Sequence, residues 1–222
     1  MRFEKRSVEQ KVKRNIFIKI TKPVNIGKYP AIILLSLVLV GWGDSWDAIK
    51  KGAGNISSVE ARFTQTKHME ILAKPLVSKG KLYYQAPGSL RWEYSSPVWS
   101  VLLMHGSSIS RYVKRGDAIV QDSTARLQSM RVVIQEIALW MKGDFDANPS
   151  FRAELRPGRT ILLTPREKGM SDIISKIELK LSDRPGMIRS VTIYESEKSR
   201  TVIAFGDVKL NAKIPEAVFR KM

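Results

Sequence analysis

Few side chains in this sequence have types and spacing suited to catalysis. His68 and His105 are the only histidines, the side chains that titrate nearest neutral pH. One ends a strand pattern and the other sits in a His-Gly turn, so both read as solvated. No nucleophile elbow surrounds any serine, and "HGSS" at 105–108 reads as a hairpin turn. Glu195 and Glu197 share a strand face with Lys198 and Arg200 nearby, the pattern of a solvated ion-paired surface. Metal-ligand clusters and glycine-rich phosphate loops are absent from the sequence, and there is no cysteine. The expectation is a protein that is not an enzyme and carries no cofactor or metal. What remains is the chemistry of apolar burial.

That chemistry concentrates in "GKLYYQAPGSLRWEY", residues 80–94. Two β-favouring runs flank a Pro87-Gly88 turn, which predicts an antiparallel hairpin. Alternation places Leu82, Tyr84 and Ala86 on one face of the first strand, and Leu90, Trp92 and Tyr94 on one face of the second. Lys81, Arg91 and Glu93 point the other way, toward water. A face so rich in Trp, Tyr and Leu must cover the protein's own core or a guest.

The chain has 222 residues, 43% of them hydrophobic, enough for one domain with a sizeable core. Its net charge of +17 raises nucleic acid or anionic membrane as partners. Residues 1–43 hold nine Lys/Arg and two Glu, and the rest of the positive charge is scattered. Arg91, Arg111, Lys114 and Arg115 lie near aromatics that alternate onto the opposite face, so no basic aromatic stripe forms and nucleic acid is not an expected partner.

Residues 1–43 read as a signal peptide. A basic stretch ends near Lys28, and the uncharged "AIILLSLVLVGW" of 31–42 follows. This run is short of the roughly 20 apolar residues that span a bilayer. Gly41 and Gly43 fit a cleavage site before Asp44, which gives an exported domain over 44–222. An uncleaved anchor is the alternative. No cysteine follows the apolar run to carry a lipid.

The body reads mainly as strands. Asp44 or Ser45 caps a short helix through about Gly52. Residues 57–67 alternate, with Val59, Ala61, Phe63 and Gln65 on one side. The hairpin follows, then an apolar strand from Trp99 to Met104, and strands over 109–113 and 118–121. A long helix is predicted from Ser123 to Gly143, with Leu127, Met130, Ile134, Ile137 and Met141 at helical spacing and Val133 and Trp140 widening the stripe. Strands resume at 151–155, 160–164, 173–181, 188–194 and 202–205. The expected fold is mainly β: an unclosed antiparallel barrel, or strongly curved sheet, with a helical lid over a hydrophobic cavity.

The chain resembles the LolA-type periplasmic carriers of outer-membrane lipoproteins over nearly all of the region after the leader. The resemblance rests on "SSVEARFTQTKH" (57–68), "GKLYYQAPGSLRWEY" (80–94), "LLMHGSSISRY" (102–112), "ILLTPREK" (161–168) and "FGDVKLNAKIPEAVF" (205–219). It implies a monomeric periplasmic carrier that accepts lipoproteins released by an inner-membrane ABC transporter and delivers them to an outer-membrane receptor. Acyl chains would travel inside the sheet, shielded from water at about 0.8 kcal/mol per CH₂. The expected acyl-chain lining is Phe63, Leu82, Tyr84, Leu90, Trp92, Val101, Leu103, Ile134, Ile137, Trp140 and Met141. Ala86 stands where many relatives place an arginine that ties the barrel to the lid, so the latch must differ here.

Two other readings share the fold: a carrier of another lipid such as a glycolipid, and a membrane-tethered sensor that keeps its leader. Sequencing the N-terminus of the mature protein separates the tethered sensor from the free carriers. The expected product begins at Asp44, and an intact Lys28–Trp42 segment would exclude a free carrier.

Overall fold

The structure is a computed structural model that describes residues 45–106, 108–122, 136–184 and 186–220. The leader, Ile134 and most of the expected 123–143 helix lie outside them.

One sheet organises the chain. Its eleven strands are β1 (Ser58–His68), β2 (Leu76–Gln85), β3 (Ser89–Ser96), β4 (Ser100–His105), β5 (Ser108–Arg115), β6 (Ala118–Asp122), β7 (Phe151–Arg156), β8 (Thr160–Pro165), β9 (Lys176–Leu181), β10 (Ile188–Tyr194) and β11 (Arg200–Leu210). Their order is β6-β5-β4-β3-β2-β1-β11-β10-β9-β8-β7, every neighbour antiparallel. β6 and β7 are the edges and do not pair with each other, so the sheet is open. It is also curved. Trp92 on β3 and Phe205 on β11 are three strands apart, about 14 Å along a flat sheet, yet their ring centroids lie 6.0 Å apart.

The hairpin has the expected register, with Leu82 opposite Trp92 and Tyr84 opposite Leu90. All four are buried in one continuous core with Val59, Ala61 and Phe63 of β1. Alternation set those faces, because each of these strands presents one apolar face. β4 is buried on both faces, where alternation gives no signal. Leu102 pairs with Trp92 and Met104 with Leu90, so these two join the core. Val101 and Leu103, expected on the cavity wall, instead face the opposite side and pack with Tyr112 and Trp99.

That outer face is covered. Arg91 and Glu93, expected to point into water, pair at 2.8 Å and are largely shielded. An Arg91 guanidinium nitrogen donates to the Val218 carbonyl at 3.2 Å, and Trp99 Nε1 donates to Glu93 Oε1 at 3.3 Å. The C-terminal 3₁₀ turn Glu216–Phe219 packs on β3 and β4 with Phe219 buried.

Two further boundaries differ. The strand expected from Ile173 begins at Lys176, behind the short helix α2 (Lys168–Ser171), and Ile173 is exposed. β11 runs five residues beyond the expected end at Phe205, through a bulge. Ala61 faces both Asp207 and Val208, because Arg62 pairs with Gly206 while Glu60 pairs with Lys209. Asp207 takes φ +51° and turns out to Arg62. The extra residue thus leaves Val208 and Leu210 packed against the core.

Gly80 controls the tightest packing in the sheet. A Cβ there would lie 2.0 Å from the Glu93 carbonyl oxygen and 2.5 Å from Phe63 Cζ. Gly80→Ala is therefore expected to destabilise the protein by at least about 2 kcal/mol in urea unfolding. A midpoint equal to that of the wild type would show that Phe63 moves aside freely.

Candidate functional site

The inner face divides into a filled half and a creviced half. The filled half is aromatic. Phe63 packs on Trp92 at 4.6 Å and edge-on to Tyr94 at 5.2 Å, while Phe205 meets Trp92 edge-on. These geometries suit the ring quadrupoles. The Tyr94 hydroxyl, at the cluster's margin, donates to Gln65 Oε1 at 2.9 Å.

The creviced half begins where the aromatics end. Val59 and Ala61 of β1, Leu82 of β2, Phe205 and Val208 of β11 and Ile188 of β10 form its wall. Met141 and Met187 close it, and they are flexible thioether side chains that adapt to irregular apolar contacts. About 20 Å³ of free space remains inside, room for roughly one water. The crevice is a seam between packed groups rather than an open chamber.

Two helical pieces press on this seam. α1 (Trp46–Gly54) starts at Ser45, whose hydroxyl accepts the Ala48 N–H at 3.2 Å, and it buries Ile49 and Ala53. It approaches Gly186 so closely that a Cβ there would sit 2.2 Å from the Ala53 nitrogen. Residues 136–141 form the second piece, with Ile137 and Trp140 buried and Met141 over the crevice. Gly143 follows at φ +80°, an αL position typical of helix ends.

Of the expected lining, only Leu82 and Met141 border the crevice. Phe63, Tyr84, Leu90, Trp92, Ile137 and Trp140 lie in the surrounding core, Val101 and Leu103 lie on the outer face, and Ile134 is outside the described residues. Sequence reasoning missed Val208, because plain alternation through "FGDVKL" turns it outward; the Gly206-Asp207 pair was the available sign of a bulge. Ile188 and Met187 were missed because they stand at the start of a strand and in a turn.

Ala86, the expected latch position, is exposed, and its N–H donates to the Ser57 carbonyl at 2.9 Å. The adjoining Pro87-Gly88 tip shares a surface groove with Glu136 and Lys142. Glu136 is the charged group buried in this region, 4% exposed, and its carboxylate accepts from Asn148 Nδ2. Burial pushes its carboxyl up to about 7. Among the described residues, no three His, Asp or Glu side chains gather as a metal site.

The family described as "Outer membrane lipoprotein carrier protein LolA" matches residues 54–221. An outer-membrane lipoprotein carrier protein of Coxiella burnetii (strain CbuK_Q154) is 22% identical, over 83% of this chain and 86% of its own length. One from Pseudomonas putida is 25% identical over 73% and 76% respectively. A solved LolA superfamily protein of Nitrosomonas europaea superposes with a TM-score of 0.40 at 11% identity, covering 80% of this chain and 98% of that one.

Glu136 yields a prediction with a definite sign. Its folded-state value lies above the ordinary 4.5, so the folded protein holds the proton more tightly than the unfolded chain. Its contribution is fully present below that ordinary value and is lost as pH rises toward 7. The wild type should lose about 2–3 kcal/mol of stability across that window, and Glu136→Gln should remove this component. Identical pH profiles for the two proteins would show that Glu136 is solvated.

Proposed function

Since the chain belongs to the LolA family of outer-membrane lipoprotein carriers, we propose that it carries lipoproteins across the periplasm with their acyl chains held against the inner face of the sheet. Family membership makes it a non-catalytic lipid or lipoprotein carrier. The finer reading has an inner-membrane ABC transporter as donor, an outer-membrane receptor as acceptor and the acyl chains as the cargo's handle. It also takes residues 1–43 as an export signal.

The observation that carries this reading is the methionine-closed crevice between β1, β10 and β11. It is wholly apolar around its wall, but with about 20 Å³ free it admits no chain until something moves. Displacing Met141 with the 136–141 helix would open it, and the exposed apolar wall would then favour a lipid chain by about 0.8 kcal/mol per buried CH₂. The same helix would compete with the cargo for the wall, so binding would be strong enough to exclude water and weak enough to reverse. Family arginine latches act beside the hairpin tip; with Ala86 there, we assign the latch role to the groove where Glu136 meets that tip.

The test uses inner-membrane vesicles containing the transporter and an acylated lipoprotein. Adding the carrier should release a soluble one-to-one complex. Val208→Trp, which fills the crevice from the sheet side, should reduce that release at least roughly tenfold while the protein stays folded. If the wild type releases no lipoprotein, the lipoprotein assignment fails. If the filled variant releases as much as the wild type, the crevice is not where the chains go.

A further inference from the structure

The exposed apolar side chains gather at one end of the sheet. Antiparallel pairing places the β1–β2, β3–β4, β5–β6, β8–β9 and β10–β11 connections at that end. Four exposed aliphatic residues lie in or beside the β1–β2 connection: Ile71 (82% exposed), Leu72, Leu76 and Val77. Val98 lies in the β3–β4 turn, Ile119 opens β6, and Ile173 lies between β8 and β9. The connections at the other end turn instead at Gly88, Gly106, Gly158 and Gly186, and no large exposed apolar residue accompanies them among the described residues.

The β1–β2 hairpin also projects. Lys79 is the last β2 residue paired with β3, so residues 76–78 run past β3 by about 10 Å. Lys74 and Lys79 in this hairpin are exposed and form no ion pair among the described residues, while Lys67 pairs with Glu195 and Lys198 with Glu70. An apolar tip flanked by free lysines is complementary to a surface whose interior is hydrocarbon and whose rim is anionic.

We propose that this end of the sheet docks on an anionic lipid bilayer, with Ile71 and Leu72 entering the acyl region and Lys74 and Lys79 at the headgroups. A protein partner fits less well. Protein interface hot spots are rich in Trp, Tyr and Arg and poor in Leu and Val, whereas the large exposed apolar residues here are all aliphatic. Long lysine stems also reach from an apolar layer to the headgroup level. The docking surface is separate from the crevice and does not depend on what the crevice carries.

The chain has no cysteine, so one introduced thiol gives an unambiguous label. Leu72→Cys and Asp183→Cys, at opposite ends of the sheet, would each carry a polarity-sensitive fluorophore in the full-length, cargo-free protein. The probe is a vesicle of phosphatidylglycerol and phosphatidylethanolamine in equal parts with brominated acyl chains. Quenching is expected at 72 and not at 183, whether or not the leader is retained. A label at Ile173→Cys should require at least roughly tenfold more lipid for the same quenching when Ile71→Asn and Leu76→Asn are also present. No quenching at 72, equal quenching at both ends, or an unchanged lipid requirement in the Asn variant would each overturn the proposal. Failure of lipoprotein release in the transporter assay would leave it standing.

Discussion

Phe63 rests on the bare backbone of Gly80, and much of the molecule depends on that contact. An eleven-stranded open sheet has no second sheet to cover its apolar face. It must curl until that face meets itself. With no side chain at Gly80, the Phe63 ring drops onto β2 and packs against Trp92 from the neighbouring strand. Trp92 then meets Phe205 from the far side of β1. The aromatic cluster sets the curvature, and the creviced region next to it inherits that shape.

Curvature also divides the work of the two faces. The concave face holds the core, the crevice and the helical pieces at 46–54 and 136–141. The convex face, usually the wet one in an antiparallel sheet, carries its own cover at β3 and β4. There Val101, Leu103, Tyr112 and Trp99 pack together, and the C-terminal segment lies over the Arg91–Glu93 pair. Shielded from much of the solvent, that pair orients Trp99 and anchors Val218 instead of solubilising a strand.

How much of this was legible in the sequence depended on whether each strand had one apolar face or two. β1, β2 and β3 alternate, and their inner residues were readable by inspection: Val59, Ala61, Phe63, Leu82, Tyr84, Leu90 and Trp92. β4 is apolar throughout, so Val101 and Leu103 carried no mark separating them from Leu102 and Met104; only pairing with Trp92 and Leu90 decides. The family resemblance likewise rested on alternating segments. The crevice was much less legible, because its wall assembles residues from β1, β2, β10 and β11 whose meeting depends on curvature and on a bulge. Ile173 shows the opposite case: an apolar residue beside a strand pattern reads as part of it, although the chain turns through α2 first.

The bulge at Asp207 separates two properties that usually travel together. Without that residue the stretch would read Phe-Gly-Val-Lys-Leu, a regular alternation that still turns Phe205, Val208 and Leu210 inward. Asp207 therefore contributes nothing to which residues line the interior; it contributes bend and twist to the strand beside the crevice. A deletion there would leave every lining residue in place and change the curvature they lie on. In this protein the form of the interior can drift by insertion and deletion in β11 while its composition stays fixed.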